Sequence, residues 1–220
     1  MTVCPMKRAR RVYYDWFSRF YDRFVALHSR DPQGLARKFL VEHAPFQRGG
    51  SVLDICTGTA TLLPHLQAKA GDEGRIVGVD FSYGMLKVAR EKTECFPSIH
   101  LVEADAGWLP FATGSFDAVT CSHAFYEIKG ETQVRALKEI LRVLRPKGVF
   151  LMMEHDVPSN LLPRVLFCLR LTIAGSGRAV AFLRREREIL EGYFGSVEKV
   201  AGPGGRSKVL ICRKCPGSGR

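Results

Sequence analysis

Residues 51–60 constrain the fold of this chain more than any other segment. Their sequence, Ser-Val-Leu-Asp-Ile-Cys-Thr-Gly-Thr-Ala, predicts a buried strand that ends on the carboxylate of Asp54 and turns through Gly58 into a helix. Glycine allows the backbone to approach a ligand closely, and the first amides of a helix are unpaired donors. This turn is therefore the predicted seat of a cofactor.

Two further strands are predicted to end on acids. The apolar segments 75–80 and 100–105 finish at Asp80 and Asp105. A carboxylate offers two acceptor oxygens, so Asp80 could accept both hydroxyls of a ribose, Asp105 an adenine amino group and Asp54 the amino group of an amino acid. Any one of these acids could be an ordinary helix cap. Three in succession favour a ligand built from adenosine and an amino acid.

The turn itself argues against a dinucleotide. A dinucleotide-binding loop would require G-x-G-x-x-G. Only Gly58 is glycine here, and Cys56 and Ala60 stand where the other glycines would fall. NAD is therefore disfavoured, and S-adenosylmethionine is the predicted cofactor.

Four motifs carry a family resemblance: VLDICTGTA at 52–60, VGVDFSYGML at 77–86, EADAGWLPF at 103–111 and LKEILRVLRPKG at 137–148. They resemble class I S-adenosylmethionine-dependent methyltransferases in composition, order and spacing. The greatest similarity is to the group of ubiquinone and menaquinone C-methyltransferases, over roughly residues 14 to 156. The resemblance implies a doubly wound, mostly parallel, seven-stranded α/β sheet with helical lid segments.

The resemblance also implies a set of cofactor-binding residues. Tyr21 and the following acid resemble a Y-D pair that precedes the cofactor domain in the quinone enzymes, where this region closes over the cofactor. No metal ligand is implied. The candidate cofactor-binding residues are Asp54, Cys56, Thr57, Gly58, Asp80, Phe81, Met85, Asp105, Ala106, Ser122, Tyr14 and Tyr21.

Methyl transfer from a sulfonium is an in-line displacement, in which an enzyme chiefly positions the nucleophile and excludes water. A base near the acceptor would still help. His123 and His155 follow the fourth and fifth predicted strands, and a pKa near 6.5 suits that role. Either histidine could instead be structural, and Glu127 and Glu154 are weaker candidates.

The acceptor stays open at this point. After the fourth strand the quinone enzymes have a G-I-R-N-type segment, whereas residues 122–128 read Ser-His-Ala-Phe-Tyr-Glu-Ile. A quinone, an isoprenoid, a phospholipid or an aromatic metabolite would each fit. A non-catalytic cofactor-binding adaptor is an alternative suggested by Cys56 and Ala60. A nucleic-acid methyltransferase is suggested by the net charge of +11, but the Asn/Asp-Pro-Pro-aromatic motif is absent, so no specific nucleic acid is expected.

Strands and helices alternate along the chain, which predicts right-handed crossovers and a parallel sheet. Helices are predicted over residues 12–28, 32–45, 59–70, 82–92 and 131–145, and later strands over 116–121, 149–153, 196–200 and 208–212. We expect one domain, because 220 residues suit a single core. Its expected parts are an N-terminal helical lid (1–45), a cofactor-binding core (46–157), a lid insertion (158–195), a C-terminal hairpin (196–213) and a tail (214–220).

Compartment and membrane contact are also predicted. The chain lacks a run of about 18 apolar residues and a signal-peptide core, so a cytoplasmic protein with reduced thiols is expected. Residues 161–174 are apolar apart from Arg164 and Arg170, and the aromatic helix at 13–24 is flanked by arginines. Both segments could lie peripherally at the inner face of a membrane, or 161–174 could be a buried helix. The oligomeric state is not predicted.

Overall fold

The computed structural model describes residues 11–22, 34–157, 160, 165, 177–205 and 207–215, which are built around one sheet. The strands are β1 (Ser51–Ile55), β2 (Arg75–Asp80), β3 (Ile99–Glu103), β4 (Phe116–Ser122), β5 (Leu144–His155), β6 (Ser196–Ala201) and β7 (Ser207–Arg213). Their order is β3-β2-β1-β4-β5-β7-β6. Strands β1 to β5 pair in parallel, and β7 is antiparallel to both of its neighbours. The predicted seven-stranded, mostly parallel sheet is confirmed.

Helices cover both faces of this sheet. They are α1 (residues 11–22), α2 (Leu35–Glu42), α3 (Leu63–Ala70), α4 (Tyr83–Thr93), α5 (Glu131–Val143) and α6 (Gly177–Glu191). Among the described helices, none is long and apolar enough to cross a bilayer.

The core has two layers because neighbouring side chains of a strand point to opposite faces. Leu53 and Phe150 pack with α5 and α6 in one layer. Val52 and Leu151 pack with α2, α3 and α4 in the other. The sheet is thus buried on both faces, and its carboxyl edge is left to form a site, as in other doubly wound folds.

Helix α3 begins at Leu63, so the predicted start near residue 59 is wrong. The chain first makes two tight turns, in which the amide of Ala60 donates to Thr57 O (3.0 Å) and the amide of Leu63 to Ala60 O (3.2 Å). Pro64 then lies in the first helical turn, where its missing N–H costs nothing. The amides near the cofactor turn therefore belong to a loop.

Two further boundaries differ from prediction. Helix α5 ends at Val143, because Leu144 is already extended and pairs with Phe116, so β5 begins at Leu144 and not at residue 149. Strand β3 ends at Glu103, which pairs with Asp80. Asp105 therefore lies two residues beyond the strand, and the expectation that β3 ends at Asp105 is wrong, because its last residue is Glu103.

Several predictions fall outside the described residues. These are the basic arm before residue 11, the turn at 31–32 and nearly all of 161–174, of which only Val165 is described, as exposed. The predicted C-terminal hairpin is present as β6 and β7. The described cysteines are free thiols, as expected.

Candidate functional site

Two buried acids mark the carboxyl edge of β1 and β2. Asp54 is 2% exposed and accepts a hydrogen bond from Thr120 Oγ1 at 2.7 Å. Asp80 is 6% exposed and accepts from the amides of Gly58 and Ser82, each at 2.9 Å. Asp80 thereby joins the β1 turn to the start of α4.

Burial dominates the electrostatics of both acids. Burial raises the pKa of Asp54 to about 7, although the hydrogen bond from Thr120 acts to lower it. Burial also raises the pKa of Asp80 to about 6, although the hydrogen bonds from backbone amides act to lower it. Neither acid forms an ion pair with any residue that the structure describes. A ligand with a positively charged group and hydroxyl donors would give these two carboxylates an ion-pair partner and further hydrogen bonds.

The turn between β1 and α3 has an unusual backbone. Cys56, Gly58 and Ala60 have φ values of 53°, 56° and 61°, which L-residues seldom adopt. The two non-glycine residues each cost about 1–2 kcal/mol in this conformation. A Cβ added to Gly58 would meet no atom within 4 Å, so the turn borders open space. The turn keeps a glycine-like shape despite Cys56 and Ala60, which removes the reason for favouring an adaptor.

Helix α1 covers this edge through two acids. Asp15 Oδ1 accepts from Ser82 Oγ at 2.6 Å and from the Gly84 amide at 2.8 Å. Seven residues later, Asp22 accepts from Thr59 Oγ1 at 2.7 Å and pairs with Lys92 at 2.5 Å. A Cβ on Gly84 would lie 2.6 Å from the Asp15 Cα, so this contact requires glycine.

The two tyrosines predicted to cover the cofactor lie at this edge. Tyr14 meets Phe81 edge-to-face, with 5.7 Å between ring centroids. Burial raises the pKa of Tyr21. The charge of Arg37 lowers this pKa and the charge of Asp80 raises it further, so the phenol lies near both side chains.

A pair of histidines occupies the edge of β4 and β5. The rings of His123 and His155 are 4.6 Å apart, and the ring of Tyr126 is 6.1 Å from that of His155. His123 has a φ of 52° and its amide donates to Met153 O at 2.7 Å. Its Nδ1 is buried and makes no hydrogen bond. Burial lowers the pKa of His123 well below 6.5, helped by His155 and Arg37, so the ring is neutral near pH 7.

A buried ionic cluster lies beside the histidines. Glu154 Oε1 accepts from the Phe125 amide at 2.9 Å, in the turn that follows His123. Lys208 pairs in register with Glu154 across β5 and β7 and forms an ion pair with Glu186 of α6. The Oε2 atoms of both glutamates are buried without a hydrogen bond. Burial raises the pKa of Glu154 well above 4.5 and that of Glu186 to about 7.

The other predicted site residues are placed as follows. Thr57 is buried beside Asp54, and Ser122 is the last residue of β4. Met85 and Ala106 are 3% and 8% exposed, and Ala106 belongs to the core. Asp105 accepts from the Gly107 amide at 2.9 Å. No cluster of three potential metal ligands occurs in the described ranges.

Sequence reasoning singled out Asp22 as part of the Y-D pair and missed three other residues of this edge: Asp15, Arg37 and Tyr126. The seven-residue spacing of Asp15 and Asp22 places them on one helix face, which was a usable signal. Arg37 and Tyr126 gave none, because their roles depend on how α2 and the turn after β4 meet the sheet.

Comparisons with known proteins agree with this geometry. Residues 52–148 match a family described as methyltransferase domain. The chain is 35% identical over 152 residues to a demethylmenaquinone methyltransferase of Staphylococcus epidermidis, covering 69% of this chain and 62% of that protein. It is 37% identical over 139 residues to the enzyme of that name from Staphylococcus haemolyticus, covering 63% and 57%. The chain thus spans less than two thirds of the length of these relatives.

A solved structure shows the same fold. The crystal structure of a SAM dependent methyltransferase from Aquifex aeolicus superposes with a TM-score of 0.62 at 17% identity, covering 84% of this chain and 94% of that one. Identity this low bears on the fold alone. With its sequence match and its sheet considered together, residues 52–148 are a methyltransferase domain of the S-adenosylmethionine-dependent type, similar to that of demethylmenaquinone methyltransferases.

Proposed function

We propose that this chain transfers the methyl group of S-adenosylmethionine to a small or lipid-like acceptor, with a hydroxylated aromatic ring such as a quinol as the first candidate. The observation that carries the proposal is the pair of buried acids, Asp54 and Asp80, beside a turn that borders open space. The similarity to demethylmenaquinone methyltransferases supports the acceptor class.

Bound S-adenosylmethionine supplies a methyl group on a positively charged sulfur, ready for displacement. Asp54 would hold the ammonium group and Asp80 the ribose hydroxyls, since each carboxylate retains acceptor capacity beyond its present hydrogen bonds. Tyr14 and Tyr21 would cover the ligand from α1. Cys56, Thr57, Gly58, Phe81, Met85, Asp105, Ala106 and Ser122 would complete the surroundings of the cofactor.

We assign to His123 the role of the base that acts on the acceptor. Its Nδ1 has no hydrogen bond and its ring is neutral near pH 7, so it can accept a hydrogen bond from an acceptor hydroxyl and take that proton as methyl transfer proceeds. Burial lowers its pKa well below 6.5, so it is a weaker base than a free imidazole. The deprotonated acceptor would then take the methyl group at a ring carbon, as the carbon–sulfur bond breaks and its electron pair stays on sulfur. The methylated ring carbon would finally lose its own proton to solvent, and His123 would return the first proton to the ring oxygen. The net change is one methyl gained and one proton released, and the cover of α1 would keep water out.

Calorimetry and a turnover assay test this function together. The protein is titrated with S-adenosylmethionine and with S-adenosylhomocysteine, and then assayed with labelled cofactor against reduced and oxidised quinones, phenols and isoprenoids. Binding with turnover of a reduced ring is expected. Absence of cofactor binding would overturn the proposal, and tight binding without turnover of any acceptor would favour the adaptor. Binding of RNA that survives high salt would favour a nucleic-acid substrate.

Cofactor affinity is expected to rise with pH between 5.5 and 7.5. The free protein holds a proton on Asp54 below its pKa of about 7, whereas the ammonium group of the cofactor selects the ionised form. Binding therefore releases a proton, and affinity increases as rising pH removes that proton in advance. Calorimetry in two buffers of different ionisation enthalpy measures the release.

Asp54→Asn is the control for this pH dependence. The variant keeps the shape and cannot titrate at position 54, so its weaker affinity should be nearly constant above about pH 6.5, and the dependence that remains at lower pH belongs to Asp80, whose pKa is about 6. A wild-type affinity that falls with pH would contradict the assignment of Asp54.

Replacing His123 with glutamine is expected to lower kcat by about 100-fold while leaving cofactor affinity within twofold, since a positioned base contributes roughly 100-fold to 10,000-fold. The loss should shrink as pH rises and the acceptor ionises by itself. His100→Gln, at an exposed position of β3, is the matched control and should leave kcat unchanged. If His155→Gln alone abolishes turnover and His123→Gln does not, the base is His155.

A further inference from the structure

Helix α1 carries large apolar side chains on the face that points away from the protein as well as on its inner face. Its inner face has Tyr14 and Tyr21 together with Asp15, Ser18 and Asp22, and Ser18 is only 4% exposed. Its face toward solvent carries four large apolar side chains, with exposures of 64%, 54%, 64% and 50%: Val12, Tyr13, Trp16 and Phe20. An ordinary surface helix has polar side chains on that face.

These four side chains form one continuous surface, which we call the aromatic face. At about 100° per residue they fall within an arc of about 100°. The rings of Trp16 and Phe20 lie 5.9 Å apart. Arg19 is exposed and extends the arc at its border. The aromatic face thus combines a wide apolar surface with a cation at its edge.

We propose that the aromatic face of α1 lies in the headgroup region of an anionic lipid bilayer. Three observations favour a bilayer over a second protein. Tryptophan and tyrosine suit the membrane interface, since each has an apolar body and a polar group. Arg19 borders the face, and the chain as a whole carries a net charge of +11, which anionic lipid attracts. The opposite face of α1 covers the candidate site, so a lipid-like acceptor would enter beside the bound helix.

The inference rests on the proposed function only for that last step, because vesicle binding can be measured without turnover. The chain has two tryptophans, Trp16 and Trp108. Trp108 is 62% exposed, and its ring lies 4.9 Å from the guanidinium carbon of Arg135 on α5, so it is not part of the aromatic face. Two single-tryptophan proteins therefore report separately on two exposed positions of one molecule.

In Trp108→Phe, the remaining Trp16 is expected to shift its emission to shorter wavelength with vesicles of phosphatidylcholine and phosphatidylglycerol, and brominated acyl chains should quench it. In Trp16→Phe, the remaining Trp108 should show neither change. Co-sedimentation of the full chain should weaken roughly tenfold or more in Trp16→Ser/Phe20→Ser, which removes two apolar anchors. Arg19→Ala should weaken it about fivefold on anionic vesicles and little on neutral ones.

The vesicle experiments have outcomes that would contradict the assignment of the aromatic face to a bilayer. Equal quenching of both tryptophans, or no change at either one on anionic vesicles at low salt, would overturn the proposal. A concentration-dependent shift of Trp16 without lipid would assign the aromatic face to a second copy of the chain. Cofactor affinity in Trp16→Ser/Phe20→Ser should match the wild type, so a failure of vesicle binding is separable from a failure of methyl transfer.

Discussion

Replacing Asp80 with alanine is expected to weaken S-adenosylmethionine binding by about 100-fold or more. A hydrogen bond to a charged group contributes about 1.5–3 kcal/mol, and this carboxylate would make two to the ribose. It also accepts the amides of Gly58 and Ser82, so its removal releases the β1 turn from the start of α4. Isothermal titration calorimetry with cofactor and with S-adenosylhomocysteine measures the loss.

Two variants make the Asp80 result specific. Asp80→Asn keeps the shape and part of the acceptor capacity, so its loss should be intermediate. Asp117→Ala removes an acid that also accepts a backbone amide, from Ser51, but lies at the opposite end of the sheet with Arg145. Cofactor affinity there should be unchanged. Equal affinity in Asp80→Ala and wild type would leave the assignment of the cofactor seat without support.

Replacing Lys208 with methionine is expected to lower the free energy of unfolding by about 3–5 kcal/mol, the typical loss when a buried ion pair keeps only one partner. Lys208 is 3% exposed and pairs with Glu186, which is 4% exposed, while Glu154 beside it is fully buried. Without the ammonium group, two carboxylates remain in the interior with no cation. Urea denaturation followed by circular dichroism measures the change.

The pH dependence of this loss identifies its cause. The buried glutamates have raised pKa values, so the folded state keeps protons that the unfolded chain releases near pH 4.5. The stability of the variant should be highest below that pH and should fall as pH rises through the folded pKa values. Lys147→Met, at an exposed position of β5, is the control and should change stability by less than about 0.5 kcal/mol. A similar loss for the two variants, or a loss independent of pH, would refute the role of the cluster.

The cofactor edge could be predicted from sequence because its signals are local. An apolar run that leads to Asp54 or Asp80 specifies both a buried strand and an acid at its carboxyl end, although β1 continues for one residue beyond Asp54. Parallel pairing then brings the two ends together, whatever the rest of the chain does. The helix cap at Ser82 was also local, and its Oγ accepts from the Met85 amide at 3.2 Å.

Features that depend on contacts distant in sequence were not predicted. The start of α3 was misplaced because Cys56 and Ala60 adopt a backbone conformation that their residue types do not signal. The buried cluster joins β5, α6 and β7, and each member looks like an ordinary charge in its own segment. One clue existed, since Glu186 shares a helix face with the buried Phe182, Leu183 and Leu190.

The position of β7 between β5 and β6 affects the order in which the two halves of the sheet can form during synthesis. Strands β1 to β4 and their helices pair within residues 51–122, so the cofactor edge needs only contacts from early in the sequence. The turn that carries His123 depends on Glu154, whose partner Lys208 lies on β7 and whose cluster includes α6. Because such long-range pairing forms slowly, a growing chain would hold a cofactor-binding half before it could hold an acceptor-binding half. A nascent chain arrested before β7 should therefore bind cofactor yet expose the unpaired edge of β5, which makes this interval the one in which the chain most needs protection from aggregation.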